Sequence, residues 1–207
     1  MENRVFFIAD IEGDTSFQDV TLLINNCVCD DWEKVDAVIP VKNFVGWNYA
    51  YPGDPAKCYK LCVLQLKMSS YSPTGKQYQI ATEKNKQILF NKQNFNDGID
   101  YLKKAIKNKI PVLCGVDDKP GTPNKDTITD HFVIIVGMGS DSIGNYFLFF
   151  DNAVSDSSVG ASSENKLYCF CSDSKLEGVG DTRNGYIQGT SRKKYTVSRI
   201  VTSVKIK

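Results

Sequence analysis

Three residues of this chain are of the types that build a nucleophilic cysteine site. Cys58 lies in the first turn of a predicted helix, where the positive end of the helix dipole favours a thiolate over a thiol. His131, the only histidine, opens the apolar segment 132–136, and Asp151 follows the apolar segment 146–150. An imidazole can take the thiol proton, and a carboxylate can orient the imidazole. The sequence therefore predicts Cys58 as nucleophile, His131 as general base and Asp151 as the orienting group.

A helix must place the cysteine. Asp54 is a predicted N-cap, and Pro55 suits the first helical position because its missing N–H costs nothing there. Apolar residues continue at helical spacing to about Met68, and Pro73 and Gly75 are expected to end the element. Cys58 then falls in the first turn of this helix.

Two strands must bring the other two side chains together. Segments 131–138 and 145–150 are apolar and are separated by a short polar turn, which predicts an antiparallel hairpin. In such a hairpin His131 and Asp151 lie near the same end of adjacent strands, so their side chains can meet.

Each assignment has an alternative. Cys62 is a second candidate nucleophile, one turn further along the helix and without the advantage of the dipole. Asn152 is an orienting group as suitable as Asp151. A single cysteine is also commonly a small buried hydrophobe, and a single histidine commonly has a structural role.

The wider pattern favours the α+β class. A second helix is predicted with Asn96 as its N-cap and with Lys107 and Lys109 at its C-terminal end, followed by a buried strand at 112–116. Later strands are predicted at 166–171, 185–189 and 194–206. Helices followed by antiparallel strands are typical of α+β proteins. We expect a catalytic domain over residues 44–207, preceded by an N-terminal extension or accessory segment over residues 1–43.

An aromatic loop, residues 44–53, leads into the cysteine helix. Large aromatic side chains in such a connection commonly pack over the core, and they can equally form one wall of a substrate groove. The sequence leaves both interpretations open.

The seven cysteines form an odd set, so at least one thiol is not in an internal disulfide. Cys27-Val28-Cys29 and Cys169-Phe170-Cys171 are both C-x-C pairs. Four thiolates could hold a structural zinc, but zinc ligands are usually spaced C-x₂₋₄-C. We therefore favour small buried hydrophobes on strands over a metal site, and expect no metal.

Charge and hydropathy argue against a nucleic-acid-binding protein and against a membrane-spanning helix. The formal net charge of +1 gives no reason to expect nucleic acid as a partner. No run approaches the roughly 18 apolar residues of a membrane-spanning helix. Residues 1–10 lack a cationic leader before their apolar patch, so a conventional signal peptide is not predicted. We expect a cytoplasmic protein as synthesised, with export through a specialised secretion system as the alternative.

The segments 131–137 and 146–152 resemble the histidine and aspartate blocks of bacterial papain-like cysteine peptidases and amidases of the C39-like and NlpC/CHAP types. Residues 54–66 are similar to the cysteine-bearing helix of those enzymes. The resemblance implies a papain-like fold, in which an N-terminal helix carrying the cysteine packs on an antiparallel sheet carrying the histidine and the aspartate. It also implies a glutamine just before the nucleophile as an oxyanion donor. This chain has none there, which leaves Asn48 or Tyr51 as substitutes.

The resemblance implies cleavage of an amide or peptide bond through a cysteine thioester, with bacterial cell-wall peptide as the expected substrate. It implies no cofactor, and an immunity or inhibitor protein as a partner if the chain is a secreted effector. Two alternatives remain at this stage. One is a transferase or deamidase that uses the same thioester on proteins. The other is a catalytically silent module that binds a partner through the aromatic loop.

Overall fold

The computed structural model describes residues 28–118, 121, 128–179 and 194–206. The helices in this part of the chain are α1 (Lys57–Met68), α2 (Lys92–Lys107) and α3 (Ser157–Gly160). The strands are β1 (Tyr71–Gln79), β2 (Ala81–Lys84), β3 (Gln87–Phe90), β4 (Val112–Asp117), β5 (His131–Ser140), β6 (Asn145–Phe150), β7 (Lys166–Phe170), β8 (Lys175–Val179) and β9 (Lys194–Lys205). A 3₁₀ turn at Val41–Asn43 precedes α1.

Six of the strands close into an antiparallel barrel. They are joined in the order β9-β4-β5-β6-β7-β8, and β8 pairs again with β9 to complete the ring. The length of β9 allows this closure, because its first residues pair with β8 and its later residues pair with β1. Strand β1 is thus added beside the barrel, while β2 and β3 form a separate hairpin.

The predicted papain-like α+β fold, with the cysteine helix packed on an antiparallel sheet, is wrong. The structure is mostly sheet, with a closed six-stranded barrel and three short helices among the described residues. The prediction missed β1, β2, β3 and β8. Pro73 and Gly75, expected to end a helix, lie inside β1, and the five-residue strand β8 closes the ring.

Alternate residues of the strands face two apolar clusters. Val133 of β5 packs in one cluster with Leu102 of α2, and Ile134 packs in the other with Leu66 of α1. Successive side chains of a strand point to opposite faces. His131 therefore shares a face with Val133, and the next residue along the strand faces α1.

The described part of the N-terminal segment packs against the same barrel. Val35 forms a β-bridge with Met138, the ring of Trp32 meets that of Phe147, and Ile39 is buried. Residues 1–27 lie outside the described part of the chain. The domain boundary at residue 43 stays a prediction.

Helix α1 begins later than predicted. Its N-cap is Ala56, which makes no side-chain capping bond. Asp54 instead accepts a hydrogen bond from the Ala56 N–H, with the oxygen and nitrogen 2.8 Å apart, so it stabilises the turn before the helix. Cys58 is the second helical residue and remains in the first turn. The predicted end at Met68 is confirmed.

Helix α2 begins earlier than predicted. Asn91 is its N-cap and accepts a hydrogen bond from the N–H of Asn94 at 2.9 Å, so the predicted cap at Asn96 is wrong. The predicted strand at 185–189 lies outside the described residues. None of the helices found in the described ranges is long and apolar enough to cross a membrane.

Candidate active site

The predicted hairpin of β5 and β6 is confirmed, and it brings His131 and Asp151 together. Ile134 pairs with Phe150, so Asp151 leaves β6 at the end of the hairpin where His131 begins β5. The Nε2 atom of His131 lies 2.8 Å from the Oδ1 atom of Asp151. Asp151 is fully buried and His131 is 9 % exposed, so water has little access to this bond.

Further donors hold the carboxylate of Asp151 in place. Tyr195 donates its hydroxyl to Oδ2 at 2.7 Å, and the N–H of Ala153 donates to Oδ1 at 3.0 Å. Both carboxylate oxygens thus have protein partners inside the barrel. Burial alone would raise the pKa of Asp151, but the charge and hydrogen bond of His131, together with these donors, lower it. The group is held as a carboxylate.

Cys58 completes the cluster from α1. Its side chain forms a hydrogen bond with His131, and it is partly exposed. Since Nε2 of His131 bonds to Asp151, Nδ1 is the ring nitrogen left for the sulfur. The backbone N–H groups of Tyr59 and Phe132 also donate to the sulfur. The structure therefore places the three predicted residues in one chain of contacts.

The electrostatics favour a thiolate beside an imidazolium. Burial would raise the pKa of Cys58, but the hydrogen bond and charge of His131 outweigh it and lower that pKa below its ordinary value. Burial would lower the pKa of His131, but the Asp151 carboxylate and Cys58 raise it to about 10. The two shifts agree, because each charge stabilises the other.

The two alternative residues lie elsewhere. Cys62 is fully buried, and its Sγ atom lies 3.3 Å from the carbonyl oxygen of Phe132 and 3.3 Å from Oδ1 of Asn152, the two acceptors within reach of its one S–H. Burial raises the pKa of Cys62 well above its ordinary value, which disfavours it as a nucleophile. Asn152 donates to the carbonyl of Val45 at 2.5 Å. Asn152 therefore connects α1 to the aromatic loop, while Asp151 contacts the imidazole.

Gln65 fixes the start of the aromatic loop. This buried side chain accepts from the N–H of Val45 at 2.6 Å and donates to the carbonyl of Asn43 at 2.9 Å. The first half of the loop thus packs on the core, as one of the two interpretations predicts. The second half is different, because Tyr49 is 61 % exposed and Tyr51 is 38 % exposed.

Aromatic and basic groups flank the candidate nucleophile. The Nζ atom of Lys57 lies 4.4 Å from the centroid of the Trp47 ring. The rings of Tyr59 and Phe132 meet edge to face, with centroids 5.1 Å apart. Lys57 and Tyr59 are the chain neighbours of the cysteine, and Phe132 is the neighbour of the histidine.

Sequence reasoning missed Tyr195. It lies on β9, 44 residues along the chain from Asp151, and no motif links the two residues. The available signal was the position of this aromatic residue near the start of the predicted strand 194–206. An aromatic residue in a strand is commonly buried, and buried tyrosine hydroxyls usually find a partner. Asn48 and Tyr51 are both exposed, and the oxyanion role suggested for them stays a prediction.

The described cysteines of the C-x-C pairs form a disulfide and a close sulfur contact, which neither the zinc interpretation nor the buried-hydrophobe interpretation included. Cys29 and Cys171 form a disulfide, and Cys169, on β7, places its Sγ atom 2.8 Å from that of Cys29. Cys29 lies in a turn and Cys171 follows the end of β7, so the expectation of small hydrophobes on strands is wrong for these two. Cys27 lies outside the described residues.

No family model, curated protein or solved structure matched the chain. The resemblance to papain-like peptidases and amidases stays a prediction about ancestry.

Proposed function

We propose that the chain is a cysteine hydrolase that cleaves an amide bond through a thioester on Cys58. The observation that carries this proposal is the continuous set of contacts from Cys58 to His131 to Asp151. Such triads occur on unrelated folds and are recognised by geometry and roles. The barrel architecture is therefore no obstacle to this chemistry.

The reaction follows from the protonation states. The Cys58 thiolate attacks the carbonyl carbon, and the His131 imidazolium gives its proton to the departing amine. The acyl group is then held on sulfur as a thioester. Neutral His131 next takes a proton from water, whose oxygen attacks the thioester and releases a carboxylic acid and the thiolate. Asp151 keeps the ring oriented throughout and stabilises its charged form.

The surroundings support a peptide-like substrate. The partly exposed sulfur is accessible beside aromatic rings that can cover a substrate backbone, and Lys57 supplies a positive charge next to the nucleophile. Cell-wall peptide is the substrate that the resemblance implies, and it stays part of the proposal. The transferase and deamidase alternatives have no specific observation in their favour.

The proposal is tested by digestion with two substrate sets, purified peptidoglycan and a defined peptide library, read by mass spectrometry. We expect new amine and carboxylate ends to appear with the wild-type chain and with Cys62→Ala, and to be lost with Cys58→Ala. Cys62 is the matched control because it is a second thiol on the same helix. Absence of Cys58-dependent cleavage in both sets would contradict the hydrolase and favour a binding module. Cleavage only in the peptide library would overturn the wall substrate alone.

A further inference from the structure

A cluster of three sulfur atoms lies apart from the candidate active site. Cys29, Cys169 and Cys171 place all of their Sγ atoms within 4.8 Å of one another. Cys29 is separated from the other two by 140 and 142 residues, so tertiary folding brings the cluster together. One disulfide uses two of these atoms and leaves the third sulfur in contact with it.

We propose that Cys29, Cys169 and Cys171 bind one Zn²⁺ ion when the disulfide is reduced. Zinc bound to thiolates has Zn–S distances of about 2.3 Å, which puts the sulfurs of a tetrahedral site about 3.8 Å apart. Three sulfurs already within 4.8 Å need only small movements to meet that geometry. Three thiolates leave the fourth position for water or a further ligand.

Neighbouring groups suit a negatively charged metal centre. Lys103 acts electrostatically on Cys169, and its ammonium donates to the backbone carbonyl of Val28 at 3.0 Å, next to Cys29. The side chain of Asn145 donates to the carbonyl of Cys29 at 2.9 Å and fixes that turn. Zinc with three thiolates carries one net negative charge, which the lysine offsets. All three cysteines are partly exposed, so an ion can enter.

The same cluster would then tie the N-terminal segment to the barrel under either redox condition. The disulfide connects the turn at Cys29 to the end of β7 in an oxidising compartment. A phosphine reduces the disulfide with one water molecule, whose oxygen ends on the phosphine oxide and whose two protons complete the two thiols. A dithiol instead supplies both electrons and both protons and becomes a cyclic disulfide. Zinc replaces the three thiol protons and makes the same connection. The metal would be structural, distinct from the thiol chemistry proposed at α1.

The test uses the full-length Cys58→Ala chain, so that metal cannot bind the candidate nucleophile. The protein is reduced with a phosphine, freed of it under nitrogen, and titrated with Co²⁺. We expect one Co²⁺ per chain, with a thiolate-to-cobalt charge-transfer band and the visible bands of tetrahedral cobalt. One equivalent of Zn²⁺ should remove these bands. The unreduced chain should show none.

When Cys169→Ser is introduced into the Cys58→Ala chain, we expect the charge-transfer intensity per cobalt to fall by about one third and the affinity for Co²⁺ to fall at least tenfold. Cys114→Ser, which changes a buried thiol outside the cluster, should titrate like the parent chain. Circular dichroism checks that each variant folds, and Cys171→Ser provides a second variant with the same expected loss. The proposal is overturned if the reduced parent shows no charge-transfer band, or if both cluster variants bind cobalt like the parent.

Discussion

Replacing Tyr195 with phenylalanine removes one oxygen atom from the deepest part of the candidate site. The hydroxyl donates to Oδ2 of Asp151 at 2.7 Å, and both side chains are almost completely buried. No bulk water is available to replace the lost donor. A hydrogen bond to a charged group contributes about 1.5–3 kcal/mol, so we expect the free energy of unfolding of Tyr195→Phe to fall by about 2 kcal/mol at neutral pH.

The pH dependence separates this effect from lost packing. The pKa of Asp151 is lowered in the folded chain, so the stability that its charge contributes is present above the ordinary aspartate pKa, about 3.9. That stability is lost as pH falls through the lower folded value. The difference in free energy of unfolding between wild type and Tyr195→Phe should therefore shrink to about 1 kcal/mol at low pH, where the Asp151 carboxyl is neutral.

Urea unfolding at several pH values measures both quantities. Tyr168→Phe is the matched control, because the hydroxyl of Tyr168 also donates to an aspartate, Asp141, at 3.0 Å, but at an exposed position. Its cost should stay within about 0.5 kcal/mol. Equal costs for the two variants, or a cost for Tyr195→Phe that does not vary with pH, would refute the role of Tyr195 as a positioning residue.

Three further predictions concern how the elements are held together, and each is tested by urea unfolding. Gln65→Leu removes the hydrogen-bond partner of the Val45 N–H and of the Asn43 carbonyl, and it should lower the free energy of unfolding by about 1–3 kcal/mol. An unchanged free energy of unfolding would show that Gln65 does not hold the start of the aromatic loop. Gly178→Ala places a methyl group against the backbone carbonyl of Lys166 and should cost about 3 kcal/mol, whereas Gly75→Ala, with open space around it, should be tolerated. Equal stability of these two alanine variants would contradict the close approach of β7 and β8. Asn91→Ala removes the N-cap of α2 and should cost about 1 kcal/mol, and an unchanged midpoint would argue against the cap.

Local signals were sufficient to predict the site more fully than the fold. Cys58 at a helix start, and His131 and Asp151 at one end of a hairpin, depend on interactions over short stretches of chain. The hydrophobic period and the turn residues report such interactions directly. That is why the hairpin and its neighbouring strands β4 and β7 were predictable, although the pairing that closes the barrel was not.

The barrel depended on information that local patterns do not carry. Closure requires β8 to pair with β9, and β8 is only five residues long, with Leu176 and Val179 as its large apolar residues. Strand β1 contains Pro73 and Gly75, residues that usually end an element, and its pairing with β9 includes a register shift at Pro73. Pairings between distant segments are set by the whole fold, so they left no readable pattern.

The same limit applies to side-chain contacts between residues that lie far apart in the sequence. The hydroxyl of Tyr195 meets Asp151 across 44 residues, and Cys29 meets Cys171 across 142. Sequence spacing suggested that both C-x-C pairs could share a ligand, but the usual zinc spacing argued against it. Only the folded arrangement shows that three of those sulfurs converge.

The most direct test of the central claim is the rate at which iodoacetamide modifies each cysteine as a function of pH, followed by peptide mass spectrometry. We expect Cys58 to react first at and below neutral pH, because His131 lowers the pKa of the Cys58 thiol. In His131→Ala, the rate at Cys58 should fall about tenfold for each pH unit below the ordinary thiol pKa. Equal modification of Cys58 and the other free cysteines, or an unchanged rate in His131→Ala, would contradict the thiolate–imidazolium pair.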